Sequence, residues 1–157
     1  LDKSFRCTNE ILNFSLKVIE QSSQIKSFNR NGDSPKVYIA DNSEIFIDEI
    51  VKEIKLCQEK GFQSICLICK TEKIQLLFNK IKHKLDIQLI KNGSVSDLQG
   101  VFILPVYMSK GLEFDTVLIV MQIAKTTMMK MIKTSYMLPA QERFTNLAYF
   151  VKMRLAR

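Results

Sequence analysis

The sequence predicts an α/β protein whose strands form a parallel, doubly wound sheet, and three observations carry that expectation. Short runs rich in β-branched residues alternate with stretches of helical apolar periodicity, the order that lays helices over a parallel sheet. Ser64 to Lys70 is almost uninterrupted apolar sequence, the pattern of a central strand covered on both faces. Two further apolar runs, Val101–Val106 and Thr116–Val120, bracket a polar turn. The length of 157 residues suits one domain with a real core.

In chain order, Thr8 to about Glu20 reads as a first helix, with Ile11, Leu12, Ser15, Leu16 and Ile19 near helical spacing. Residues 21–35, rich in Ser, Gln, Asn and Gly, form a loop ending at Pro35. Lys36–Ala40 is a short strand. Asp41-Asn42-Ser43-Glu44 resembles a capping box, with Asp41 accepting backbone N–H groups. The helix that follows reaches about Lys60, puts Ile47, Ile50, Val51 and Ile54 on one face, and stops at Gly61. After the Ser64–Lys70 strand, Thr71 caps a helix from Glu72 to Leu85 with Ile74, Leu77, Phe78 and Ile81 inward. Ile87–Ile90 is a weak strand and Asn92-Gly93 a turn.

Composition narrows the class. Hydrophobic residues make up 46% of the chain, yet no apolar run approaches the roughly 20 residues of a membrane span, so a soluble, cytoplasmic protein without a membrane partner is expected. Leu1-Asp2-Lys3 is the wrong start for a signal peptide, and the missing Met implies a fragment. Cys66 and Cys69 form a C-x-x-C inside a strand, where residues three apart point to opposite faces. With His83 the only histidine, no metal site is expected. The net charge of +7 is uneven: residues 121–157 hold seven Lys/Arg and one acid, whereas residues 1–120 hold 16 basic and 15 acidic residues. The basic character belongs to the tail, so the chain divides into a nearly neutral body, 1–120, and an atypical tail, 121–157.

The turn after Val101–Val106 concentrates the chemistry. It reads Tyr107-Met108-Ser109-Lys110-Gly111-Leu112-Glu113-Phe114-Asp115, a short strand-to-strand connection presenting polar groups at a sheet end. Gly111 lets a ligand approach the backbone, Lys110 offers a cation and Glu113 two acceptor oxygens. Solvated charges on a plain connection explain the same spacing, and spacing alone names no ligand.

The wording S-K-G-L-E-F-D, followed by an apolar strand, resembles motif V of the UvrD/Rep/PcrA-like superfamily 1 DNA helicases. The start of the chain, Leu1-Asp2-Lys3-Ser4-Phe5-Arg6-Cys7-Thr8-Asn9-Glu10-Ile11, resembles motif IV of the same family. The resemblance covers most of residues 1–120 and is to the second RecA-like domain, 2A. The segment between the central strand's helix and motif V is too short for the large 2B insertion, which resembles the HelD-like (helicase IV-like) branch. The implied fold is a RecA-like, P-loop NTPase-like sheet without its own P-loop, since no G-x-x-x-x-G-K-[ST] occurs in the chain.

The resemblance also implies an activity and its parts. ATP, with Mg²⁺, would sit between 2A and an N-terminal domain 1A that supplies the P-loop lysine, and the intact enzyme would move along single-stranded DNA. The catalytic residue is Arg6, reaching the γ-phosphate as a fixed planar cation. Glu113 would accept a hydrogen bond from the ribose, Gly111 would allow its approach, and Lys110 serves either as a nucleotide contact or in a structural pair. Ser109 and Tyr107 are the candidate DNA contacts; Tyr107 stacks on a base or is a buried strand-end ring. The chain alone is expected to bind no ATP and to be inactive. Ser4, Phe5 and the Val106-Tyr107 segment depart from the family's usual Asn, Tyr and His. The alternative is a non-enzymatic RecA-like interaction module that contacts RNA polymerase or another protein.

The tail changes texture. Six of the seven methionines fall in 121–157, and the family's motif VI, Y-V-A-x-T-R-A, is missing. Reading allowed codons from Met121 one base out of phase gives DANSKNNYDEDDKNFLYVACTRALHEL. Part of that string is forced: Met128-Met129-Lys130 must yield Asp then Glu, and Met131-Ile132 must yield Asp. The Val-Ala pair requires Leu138 to be TTG. A single-base deletion near codon 121 is therefore expected, leaving an out-of-frame tail. The alternative is a genuine, divergent C-terminal helix: Gln141–Arg157 has apolar residues at helical spacing (Phe144, Leu147, Ala148, Val151, Leu155) and could form one, as an out-of-frame tail also could.

Overall fold

A computed structural model of the chain describes residues 3–4, 8–18, 26–27, 31–40, 42–91, 98–122 and 148–154. Lys3–Ser4 (β1) pairs in parallel with Lys26–Ser27 (β2), a two-residue strand inside what the sequence reads as loop. Helix α1, Asn9–Val18, starts after Thr8, whose carbonyl accepts from Leu12 N at 3.0 Å and whose Oγ1 accepts from Ile11 N at 3.4 Å. The rest of the architecture is β3 (Lys36–Ala40), α2 (Ser43–Glu59), β4 (Ser64–Cys69), α3 (Thr71–Ile81), β5 (Gln88–Leu89), β6 (Gly100–Pro105), β7 (Thr116–Gln122) and β8 (Ala148–Arg154).

The main sheet has six strands in the order β3-β8-β7-β4-β6-β5. Strands β5, β6, β4 and β7 run parallel, and β8 is antiparallel to both of its neighbours, β7 and β3. The sheet is therefore mixed rather than all parallel. Over Ala148–Arg154 the tail is a strand and not the helix its apolar spacing suggests, with Val151 buried between Val37 and Ile119. Seven paired residues against β7 and five against β3 satisfy the backbone groups that a helix would satisfy internally.

Strand alternation builds two cores. Ile65, Leu67, Cys69, Val101, Ile103 and Leu118 face one side, where α2 contributes Ile47, Ile50, Val51 and Ile54 and α3 contributes Ile74, Leu77 and Ile81. Cys66, Phe102, Leu104 and Val117 face the other. Helices α2 and α3 both cover the first face, while Ile11, the buried apolar residue of α1, lies in neither core. The second face is covered by the connection between β6 and β7, through Met108, Leu112 and Phe114. As expected, Cys66 and Cys69 lie on opposite faces, both buried; burial pushes the Cys69 thiol up to about 11 and the Cys66 thiol higher. Among the described residues no group of His, Cys, Asp and Glu could hold a metal ion.

The helix ends follow local chemistry. The cap of α2 is Asn42, one residue later than expected, its side chain accepting from Glu44 N at 2.7 Å; Asp41 lies outside the described residues. At the other end, Phe62 N donates to Cys57 O at 3.1 Å and Gly61 N to Gln58 O at 2.9 Å, with Gly61 at φ 82°. This is a Schellman stop, which needs a left-handed residue at that point. Helix α3 begins at Thr71, with Lys70 at the cap position and no side-chain cap, and ends at Ile81, four residues before the expected Leu85.

One polar cluster ties β8 to the helical face. Glu53 of α2 is only 6% exposed. It accepts from Tyr38 Oη of β3 at 2.6 Å and from Lys152 Nζ of β8. Burial alone would raise the Glu53 carboxyl, but the Lys152 and Tyr38 hydrogen bonds outweigh it and hold the group below the usual carboxylate range. Burial likewise opposes charge on Lys152, and Glu53 reverses that, leaving its ammonium raised.

Candidate functional site

Parallel neighbours cannot be joined by a hairpin, and β6 and β7 are not even neighbours, because β4 lies between them. Residues 106–115 are therefore a crossover rather than a short turn at one sheet end. The segment leaves the carboxyl end of β6 as a single 3-10 turn, Val106–Met108. It then crosses the β4 face and arrives at the amino ends of β4 and β7, roughly 16 Å away for strands of six residues.

Apolar and polar residues divide along this path. Met108, Leu112 and Phe114 turn inward onto Cys66, Phe102, Leu104 and Val117, and the Phe114 ring lies 6.3 Å from that of Phe102. Tyr107, Lys110, Gly111 and Glu113 turn outward. The apolar residues fix the backbone, and the polar ones are left for solvent or a ligand.

At the carboxyl end, Ser109 N and Ser109 Oγ both donate to the Val106 carbonyl, at 3.1 and 2.7 Å. The hydroxyl proton of Ser109 is thus committed to closing the turn, and its oxygen remains able to accept. Tyr107 is 66% exposed, which removes the buried strand-end reading and presents its ring to the surface. Gly111 has φ 83°, and a Cβ there would meet nothing within 4 Å. The glycine is needed for its left-handed backbone, and the space above it is open to a ligand. Among the described residues neither Lys110 nor Glu113 has an ion-pair partner, so the structural-pair reading of Lys110 finds no partner there.

The amino end is anchored by a residue the sequence reading passed over. One Asp115 carboxylate oxygen accepts from Gln63 N and Ser64 N, each at 2.9 Å, and from Ser64 Oγ at 3.1 Å. Asp115 N donates to Ser64 Oγ at 2.8 Å and to Ser64 O at 2.9 Å. These bonds pin the start of β7 to the start of β4. The partners lie more than 50 positions away in sequence, so no local signal marks the role.

The structure thus gathers Tyr107, Ser109, Lys110, Gly111 and Glu113 on one crossover, with Tyr107 and Glu113 toward its opposite ends. Arg6 lies outside the described residues, so its place relative to the crossover is not described. No described helix is long and apolar enough to cross a membrane.

No protein-family model matches the chain, and no curated protein matches it. Among solved structures, the chain is similar to the C-terminal domain of a possible DNA helicase from Lactobacillus plantarum WCFS1. The identity is 26% and the TM-score 0.58, over 73% of this chain and 66% of that one. The chain thus resembles in fold the C-terminal domain of a possible DNA helicase. The chain spans just under two thirds of that domain's length.

Proposed function

We propose that this chain is the second RecA-like domain of an ATP-dependent superfamily 1 DNA helicase or translocase of the HelD-like kind. In this reading it acts with a 1A domain that carries the P-loop. The observation that carries the reading is the S-K-G-L-E-F-D segment laid across the sheet face as a crossover with Lys110, Gly111 and Glu113 outward, in a fold similar to the C-terminal domain of a possible DNA helicase. Glu113 accepts from the nucleotide ribose, Lys110 lies along the nucleotide, and the open left-handed Gly111 lets it approach. Tyr107 offers a stacking ring and Ser109 an acceptor oxygen to single-stranded DNA. Arg6 supplies the γ-phosphate cation from motif IV. Closure of 1A on this domain would then couple hydrolysis to movement along DNA.

The tail belongs to the same reading. A one-base deletion near codon 121 replaces the acidic segment and the T-R-A of motif VI, so the chain as it stands lacks that arginine and is inactive. Sequencing the natural gene through codons 115 to 150 tests this, and a CTN codon at Leu138 contradicts it.

Activity is tested in the frame-restored protein joined to its 1A domain. An Arg6→Ala substitution lowers kcat for ATP by ~10³-fold, the usual worth of such a cation. Glu113→Gln raises the KM for ATP with little change in kcat, the signature of a contact made equally in ground and transition states. Unchanged turnover in Arg6→Ala overturns the assignment. ATP hydrolysis by the purified 157-residue chain alone contradicts the reading as a whole.

A further inference from the structure

On the sheet face opposite the crossover, a groove of about 390 Å³ opens between the amino-terminal turns of α2 and α3, floored by the carboxyl ends of β4 and β7. Its walls are helical stripes. Helix α2 contributes Phe46 and Ile47, and α3 contributes Leu76 and Leu77 between Lys73 and Lys80. Spacings of three and four residues put Lys73, Leu76, Leu77 and Lys80 on one face of α3. Leu76, an apolar side chain at the rim, is 60% exposed. Lys70 joins Lys73 and Lys80 around the opening, and Glu72 is the single acid among the lining residues. Helix α3 also starts without a side-chain cap, so its first amide groups add positive potential to the same rim.

We propose that this groove is a docking site for an acidic amphipathic segment of a partner protein. Apolar side chains of the segment fill the trough beside Leu76, and its carboxylates meet Lys70, Lys73 and Lys80. Charge selects this occupant. Residues 123–147 of the chain carry four basic residues and one acidic one, and a second copy offers a nearly neutral body and a basic tail; neither complements a lysine rim as an acidic segment does. The lining aromatic, Phe46, is buried at 6% exposure, so the groove offers no open ring for base stacking, which single-strand binding uses. A small apolar ligand is usually enclosed by its pocket, and an opening edged by an exposed leucine does not enclose one. The helix-in-groove mode, with anchors every three or four residues, fits the geometry. The inference is independent of the nucleotide-facing crossover, and its test needs neither ATP nor a 1A domain.

The full chain is titrated into a fluorescein-labelled helical peptide of roughly 16 residues, with leucines at every third and fourth position and glutamates on both flanks. Binding is read by anisotropy at low and high salt. A second peptide has lysine for each glutamate, and a labelled single-stranded oligonucleotide is the third probe. The acidic peptide binds and weakens with salt, and the lysine peptide binds at least about tenfold less tightly. Leu76→Ser and the Lys73→Glu/Lys80→Glu pair, all at exposed positions, each weaken the acidic peptide about tenfold while circular dichroism is unchanged. The proposal is overturned if the acidic peptide does not bind, if both peptides bind alike, or if folded variants bind as the parent does. It is equally overturned if the oligonucleotide, and not the acidic peptide, is the probe that Leu76→Ser weakens.

Discussion

At the scale of single residues, the crossover separates what holds its shape from what faces outward. Asp115 is the anchor. Asp115→Ala leaves the Gln63 and Ser64 amides without their carboxylate partner and should cost about 2–3 kcal/mol, read as a lower urea midpoint with an unchanged slope. Gly111 is a conformational requirement rather than a spatial one, because its φ of 83° is left-handed and nothing crowds a Cβ. Gly111→Ala should cost about 1–2 kcal/mol by the same measurement, with Gly111→Asn milder. Glu113→Gln, exposed and without an ion-pair partner among the described residues, should leave the midpoint unchanged, so any effect on nucleotide binding is separable from folding. The sequence disclosed the outward residues well, since S-K-G-L-E-F-D is a recognisable string. The role of Asp115 depends on Ser64, a partner that only the folded sheet brings near.

At the scale of elements, locally encoded features were the readable ones. The 3.6-residue period of Ile47, Ile50, Val51 and Ile54 marks the buried face of α2, and the strand alternation of Ile65 to Cys69 separates Cys66 from Cys69. β8 was not readable in this way. Leu147, Ala148, Val151 and Leu155 satisfy a helical period, whereas Ala148–Arg154 is decided by two long-range strand partners, a tertiary override of local pattern. The Glu53–Lys152–Tyr38 cluster gives that strand a test. Lys152→Met strands a buried carboxylate and should destabilise by ~3 kcal/mol, whereas Lys152→Met with Glu53→Leu should recover most of the loss. The pH dependence follows from the two shifts. Glu53, depressed in the fold, contributes stability above its unfolded value of about 4.3, and this is lost as pH falls through the lower folded value. Lys152, raised in the fold, contributes below about 10.4, and this is lost as pH rises through the higher folded value. Urea midpoints measured across pH should therefore form a plateau that the double variant flattens at both ends.

At the scale of the whole molecule, the chain combines a six-stranded mixed sheet with two outward surfaces on opposite faces. The crossover carries the residues proposed to meet nucleotide and DNA, and the lysine-rimmed groove between α2 and α3 carries those proposed to meet a protein. The α/β class was legible because every parallel strand from β3 to β7 is announced by its own apolar run. The mixed character of the sheet was not, because a strand inserted between β3 and β7 comes from the far end of the chain. The alternating helices also suggested cover on both faces, where α2 and α3 share one and the crossover packs on the other through Met108, Leu112 and Phe114. The most direct test of the helicase reading is to sequence the natural gene, from upstream of codon 1 through the last codon. The account predicts a continuous upstream frame encoding G-x-x-x-x-G-K-[ST], with one base restored near codon 121 opening a frame that reads T-R-A. A gene whose upstream sequence encodes no nucleotide-binding domain, or whose codons forbid T-R-A, would contradict it.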